Sequence, residues 1–296
     1  MSLLDELRTA ARTVSATVGP TVVAIGRTRR GAGTVVARGQ VVTNAHNLRD
    51  RTTQVTFADG STAQATVLGI DFDHDLAVLA VDTGDAPVLE WADHAAEPGD
   101  VVFAAGPHGR GSRVTMGLVT TVGRSFRGPR GRRIDGSVEH SAPLARGSSG
   151  GPLVDPSGRL VALNTHRLGD GFTLALPADA ELRRRIDELG RGEVPERKRL
   201  GVAVASAEVT RRLRRAVGLP ERAGLLVRGV EGDSPAEQAG IREGDLLVSA
   251  AGIELTDTDA LFAALEGDAP TLDLVVVRGA DERTITVQFG PTSTDT

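Results

Sequence analysis

The feature that most limits what this chain can become is Arg146-Gly147-Ser148-Ser149-Gly150-Gly151-Pro152-Leu153. Without a Cβ, Gly147 and Gly150 permit a strained turn that exposes the Ser149 hydroxyl and lets neighbouring amides point at one spot. Such a spot is an oxyanion hole, with the N–H groups of Gly147 and Ser149 as its donors. A serine hydroxyl is a weak nucleophile until a base takes its proton, so the turn requires a histidine and a group to orient it. In Val41-Val42-Thr43-Asn44-Ala45-His46 a β-branched run ends in a polar turn, which places the His46 imidazole at the rim of a strand. Asp75 stands at the mouth of the apolar run Leu76-Ala77-Val78-Leu79 and is the candidate orienting carboxylate.

The chain order is therefore His, Asp, Ser, as in chymotrypsin. Gly147, Ser149 and Gly151 also fit the G-x-S-x-G elbow of α/β-hydrolases, whose order is Ser, Asp or Glu, His. The one histidine after Ser149 is His166, 17 residues on, too soon for that fold. Taken singly, Ser149 fits a glycine-rich hairpin turn and His46 a hydrogen-bonded strand end. Three motifs in this order point instead to serine nucleophilic catalysis.

At these residues the chain resembles the HtrA family of trypsin-like serine proteases that carry a C-terminal PDZ domain. The resemblance runs from about Val14 to Gly290, through T-N-A-H, D-L-A-V-L, V-T-M-G-L-V-T-T-V-G-R (Val114 to Arg124), G-S-S-G-G-P-L and L-A-L-P (Leu174 to Pro177). It implies a mainly β fold: a chymotrypsin-like pair of six-stranded barrels with the triad in the cleft between them, then an α+β PDZ domain. Short Val-rich segments separated by glycine turns read the same way. The activity it implies is ATP-independent endopeptidase cleavage of unfolded or damaged protein. A peptide-binding scaffold or holdase with a latent protease domain is the alternative. By family correspondence Pro143 and Leu144 form the pocket floor, so small or medium aliphatic side chains are expected before the cleaved bond. Asn164, Thr165 and His166 line the other wall, with His166 either touching substrate or capping a strand. The chain departs from the family's I-Q-T-D-A-A-I-N at Val138-Glu139-His140-Ser141-Ala142-Pro143-Leu144-Ala145, and Ser148 stands where the family has asparagine.

Composition shifts divide the chain. Residues 1–190 read as the protease domain and end in a helical segment, Ala178 to Leu189. Residues 191–198 are a Gly/Pro-broken polar linker, residues 199–290 the PDZ domain and residues 291–296 a disordered tail. Ser234-Pro235 opens a short helix with a serine cap and a first-turn proline, and Gly240 closes it. In the family the carboxylate-binding loop lies at Y-[IL]-G-[IV], here Arg199-Leu200-Gly201-Val202. Free backbone amides there hold a peptide C-terminus while the peptide adds as a strand, with Leu261 and Leu265 of a following helix forming the second wall.

Composition excludes other classes. A net charge of −5 argues against nucleic-acid binding, and the absence of cysteine removes thiolate chemistry. Lys198 is the one lysine, which leaves neither a P-loop nor a Ser-Lys dyad, so no cofactor is expected. Asp71, Asp73 and Asp75 look like the opening of a calcium loop, but Leu76 stands where its glycine belongs and Asp82 where its glutamate belongs, so no metal is expected. Arg127, Arg130, Arg132 and Arg133 read as a mobile, solvated regulatory loop. Acidic residues near Met1 and the lack of a long apolar run point to a cytoplasmic protein without membrane contact, or an exported one if the N-terminus is trimmed. Leu3, Leu4, Leu7, Ala11 and Val14 recur at helical spacing and are expected to pack a first helix on a barrel. The resemblance implies a homotrimer built through aromatic N-terminal residues, and this chain has no aromatic before Phe57.

Overall fold

The computed structural model describes the chain except for residues 1, 29, 50, 130, 195–197, 206, 217–221, 267–268 and 291–296. The expected tail and part of the expected linker lie outside the described residues. The chain divides into two compact units, Met1–Val194 and Pro195–Thr296.

The first unit opens with α1 (Leu3–Thr17), capped by Ser2, whose hydroxyl accepts the Asp5 amide while the Asp5 carboxylate returns to the Ser2 amide. Six strands follow: β1 (Val22–Ile25), β2 (Gly31–Ala37), β3 (Gln40–Thr43), β4 (Thr52–Thr56), β5 (Thr62–Asp71) and β6 (Leu76–Ala80). They close into a barrel in the order β1-β2-β3-β6-β5-β4. Six more form the next one: β7 (Val101–Pro107), β8 (Ser112–Arg127), β9 (Arg133–His140), β10 (Pro152–Val154), β11 (Leu160–Arg167) and β12 (Thr173–Pro177). Their order, β10-β11-β12-β9-β8-β7, leaves no free edge either. The last element is α2 (Ala180–Gly190), started by Asp179, whose carboxylate accepts the Leu182 amide.

One apolar cluster joins the barrels. Val42, Leu76 and Val78 from the first meet Phe103, Leu160 and Leu163 from the second. The two helices seal it, α1 with Val14 and Val18, α2 with Leu182, Ile186 and Leu189 at i, i+4 and i+7. The N-terminal part of α1 differs from the sequence expectation. Val14 is fully buried and Ala11 packs on the cluster, but Leu4 is 77% exposed, because the helix reaches past the barrel surface before its first full turn is covered.

The second unit is a sheet with helices. It comprises β13 (Val202–Ala205), α3 (Ala207–Ala216), β14 (Leu225–Val230), α4 (Pro235–Gln238), β15 (Leu246–Ala250), β16 (Ile253–Glu254), α5 (Thr258–Leu265), β17 (Thr271–Arg278) and β18 (Asp281–Gln288). The sheet order is β13-β14-β15-β17-β18, with β16 paired to β15, so β13 is an edge strand. Nothing in the sequence reading anticipated α3. Its own core contains Leu225, Leu247, Leu274 and Val276. Asp245, 1% exposed, takes both forks of the Arg278 guanidinium at 2.6 and 2.7 Å, which ties the loop before β15 to β17. Among the described residues no helix is long and apolar enough to cross a membrane.

Phe103 is 1% exposed at the centre of the shared cluster. Phe103→Ala is expected to destabilise the first unit by about 3–5 kcal/mol in a urea melt followed at Trp91, the chain's one tryptophan.

Candidate active site

β3 runs into a single helical turn, Ala45–Asn47, that carries His46 out of the first barrel. Asp75 sits in the turn between β5 and β6 and is 2% exposed. Its φ of +55° is a left-handed conformation that aspartate tolerates better than most side chains. His46 Nδ1 lies 2.9 and 2.8 Å from the two Asp75 carboxylate oxygens, and the His46 amide donates to Oδ1 at 3.1 Å. An ionised carboxylate only accepts, so Nδ1 carries the proton and the neutral ring keeps a free lone pair on Nε2. The Asn44 side-chain amide holds the Asp75 carbonyl at 2.9 Å.

Ser149 lies on the other barrel, and its backbone is held by the first. Its carbonyl accepts the Ala32 amide of β2 at 2.8 Å and the side-chain amide of Asn47, next to His46, at 2.8 Å. Two glycines make that approach possible. A Cβ on Gly31 would lie 2.1 Å from the Asn47 side chain, and one on Gly150, whose φ is +90°, would lie 2.2 Å from the Ala32 carbonyl oxygen. The Ser149 hydroxyl donates to the Thr165 carbonyl at 2.7 Å.

Thr165 is the residue whose role sequence reasoning missed. The pairing of β11 with β12 shifts register between Asn164 and His166, leaving Thr165 on a bulge without a partner in register. Its carbonyl receives Ser149, and its hydroxyl donates to Asp75 Oδ2 at 2.8 Å. One bulged residue thus touches both ends of the His46, Asp75 and Ser149 constellation. The small hydroxyl in Asn-Thr-His, on a strand facing the nucleophile loop, was the available signal.

Other expected site residues fall in several places. Gly147 has φ +83°, and among the described residues neither its amide nor that of Ser149 has a hydrogen-bond acceptor. Pro143 and Leu144 border a cavity of about 10 Å³ with Gly106, Thr115 and Ser148, room for one water. Asn164 and Thr165 do not present side chains to a pocket. They are 1% and 4% exposed, and Asn164 is consumed by bonds to the Gly151 and Pro152 carbonyls. His166 is exposed and stacks on Phe126 of β8, ring centroids 5.8 Å apart.

In the second unit Arg199 pairs with Glu231 at 3.0 Å, and Gly201 has φ +77°. The Leu200 and Gly201 carbonyls accept the Ala236 and Glu231 amides, leading directly into β13 with Val202 as its first residue. Leu261 and Leu265 are 6% and 8% exposed and pack into this unit's core, so neither offers an open wall.

The turn around Asp75 is gripped by charge. Asp71 accepts the amides of Asp73 and His74, the His74 imidazole at 2.7 Å and Arg185 of α2 at 3.2 Å. Burial pushes its carboxyl up, but the hydrogen bonds and charge of His74, with Arg185, outweigh that and hold its pKa at about 2. In the arginine-rich hairpin Arg127 and Arg133 are exposed as expected, Arg130 lies outside the described residues, and Arg132 departs from the solvated reading. Arg132, 14% exposed, pairs with Asp73 at 3.3 Å, and Arg127 closes the hairpin on the Gly131 carbonyl.

His140, at the end of β9, is fully buried, and burial lowers its pKa to about 4 against the bonding of Asn164 and the charge of Glu139. A histidine harder to protonate folded than unfolded contributes stability that is complete above pH 6.5 and lost as pH falls towards 4. Asp71, with its lowered pKa, adds a loss below pH 3.8. Urea melts of the intact chain are expected to lose roughly 3 kcal/mol between pH 6.5 and 4, and His140→Gln is expected to remove most of that slope.

Residues 31–163 match the trypsin-like peptidase domain family and residues 226–278 the PDZ domain family. The chain is 32% identical over 270 residues to serine protease HTRA1 of Xenopus tropicalis, covering 86% of this chain and 57% of that protein. It is 31% identical over 272 residues to a probable periplasmic serine endoprotease DegP-like of Pseudomonas fluorescens, covering 88% and 56%. It therefore spans a little over half the length of these relatives. Among solved structures, the HtrA-type protease AlgW with a decapeptide superposes with a TM-score of 0.62 at 25% identity, covering 95% of this chain and 98% of that one. Two closed six-stranded barrels, a following sheet domain and these likenesses agree: the chain belongs to the HtrA family of trypsin-like serine proteases with a PDZ domain.

Proposed function

We propose that the chain is a serine endopeptidase using His46, Asp75 and Ser149, and the observation that carries this reading is the pair of contacts by which His46 Nδ1–H donates to the two Asp75 carboxylate oxygens beside the anchored Ser149 loop. Asp75 keeps the proton on Nδ1, leaving Nε2 as the base. The Ser149 hydroxyl leaves the Thr165 carbonyl and passes its proton to Nε2 as Oγ bonds to the substrate carbonyl carbon. The carbonyl oxygen takes up the π electrons and accepts the Gly147 and Ser149 amides, each such donor commonly worth about 3 kcal/mol. The imidazolium, stabilised by Asp75, gives its proton to the leaving amine. A water then repeats the sequence and releases the acyl group.

Residues 1–190 are assigned to the protease domain, 191–198 to a linker and 199–290 to the PDZ domain. Unfolded or damaged protein is the proposed substrate, cut after small or medium aliphatic residues, since Pro143 and Leu144 offer no charge to a basic side chain. The proposed role of the second unit is to bind peptide C-termini at β13. Its edge position, with Gly201 shaping the preceding turn, supports strand addition there, and the likeness to AlgW, a protease solved with a decapeptide, supports peptide binding.

A fluorophosphonate probe is expected to label the wild type and not Ser149→Ala, and casein cleavage is expected to follow the same pattern. An unlabelled wild type that still binds C-terminal peptides overturns the enzyme reading in favour of a scaffold. Thr165→Val keeps the carbonyl but removes the hydroxyl from Asp75, and is expected to lower kcat by about 10- to 100-fold with KM little changed.

A further inference from the structure

His140 has no part in the chemistry above, and it occupies one of the positions where this chain departs from its family's pattern. Both ring nitrogens are engaged. Nδ1 accepts the Ala142 amide at 3.2 Å, so the neutral ring carries its proton on Nε2 and donates it to Asn164 Oδ1 at 2.8 Å. That bond decides which way the Asn164 amide faces. Its nitrogen then donates to the carbonyls of Gly151 at 2.9 Å and Pro152 at 3.1 Å. The Asn164 backbone adds two bonds to the same stretch, accepting the Gly150 amide at 2.7 Å and donating to the Gly151 carbonyl at 2.9 Å.

One partner of the ring, Ala142, begins the loop that carries Ser149, and the other, Asn164 of β11, bonds the far end of that loop. Ala142 begins the segment that passes through Pro143 and Leu144 to Gly147, and Gly150 to Pro152 is the segment that leaves Ser149. Gly117 lets the backbone of Ala142 come close, since a Cβ there would lie 2.2 Å from its amide nitrogen. Asn164 precedes Thr165, so the same strand connects the ring to the acceptor of the Ser149 hydroxyl and the donor to Asp75.

We infer that His140 is a positioning residue for the nucleophile loop: its Nε2–H tautomer sets the Asn164 amide and the Ala142 amide together, and so fixes the chain on both sides of Ser149. This rests on reading Ser149 as the nucleophile. A residue of similar volume without hydrogen bonds leaves Asn164 Oδ1 and the Ala142 N–H buried and unpaired, and the loop relaxes to satisfy them. A residue with one donor and one acceptor restores both bonds.

The test compares His140→Phe and His140→Gln in the full chain, by fluorophosphonate labelling rate and by kcat and KM on a peptide substrate. His140→Phe is expected to slow labelling and lower kcat by about 10- to 100-fold with KM within about twofold, and His140→Gln to recover most of the loss. Labelling of His140→Phe at the wild-type rate, or a Gln variant as impaired as the Phe variant, overturns the inference while leaving Ser149 as the nucleophile. A wild type that is not labelled at all overturns the underlying reading instead. Imidazole nitrogen NMR of the Ser149→Ala protein gives a measure independent of whether His140→Phe folds. A buried ring with its proton on Nε2, protected from exchange, is expected, and a proton on Nδ1 overturns the assignment.

Discussion

The site depends on one carbonyl oxygen. Ser149 belongs to the second barrel, yet its C=O is held by the Ala32 amide and the Asn47 side chain of the first, each at 2.8 Å. Asn47 is next to His46, so the bond that anchors the Ser149 loop also ties it to the helical turn that carries the imidazole. The apolar cluster around Phe103 and Leu160 brings the barrels together without direction; these two hydrogen bonds supply the register. Gly31 and Gly150 belong to the same constraint, because a side chain at either would push the barrels apart at this point.

Much of this was legible in the sequence, for identifiable reasons. Ser149 stood out because only glycines allow the turn around it, and His46 and Asp75 because each follows or precedes a run of β-branched or apolar residues that has to be a strand. The barrels were legible from short apolar segments at regular spacing. What was not legible came from register and tertiary pairing. Asn164, Thr165 and His166 were expected by family correspondence to line a pocket wall, but every residue from Leu160 to Thr165 is buried, and the unpaired position of Thr165 shows only in the pairing of β11 with β12. Arg132 read as a solvated charge because its partner, Asp73, lies in a different hairpin. Leu261 and Leu265, at i and i+4, mark one face of a helix, and that spacing does not say whether the face meets a groove or a core.

The acidic groups around the Asp75 turn are spent on contacts within the first unit. Asp71 spends its oxygens on two amides, an imidazole and a guanidinium, and Asp75 spends its own on His46 and Thr165. Asp73, between them, pairs with Arg132. Arg185 brings α2 into this arrangement, so the last helix of the first unit bears on the turn that carries Asp75.

Asp75 meets two separate demands, one electrical and one conformational. Its backbone sits at φ +55°, where asparagine is nearly as comfortable as aspartate and most other residues are not. Asparagine at that position suits the same backbone but strips the negative charge from beside the imidazole. Backbone conformation alone therefore does not require an aspartate here; what requires it is the set of donors it accepts, the ring and amide of His46 and the hydroxyl of Thr165.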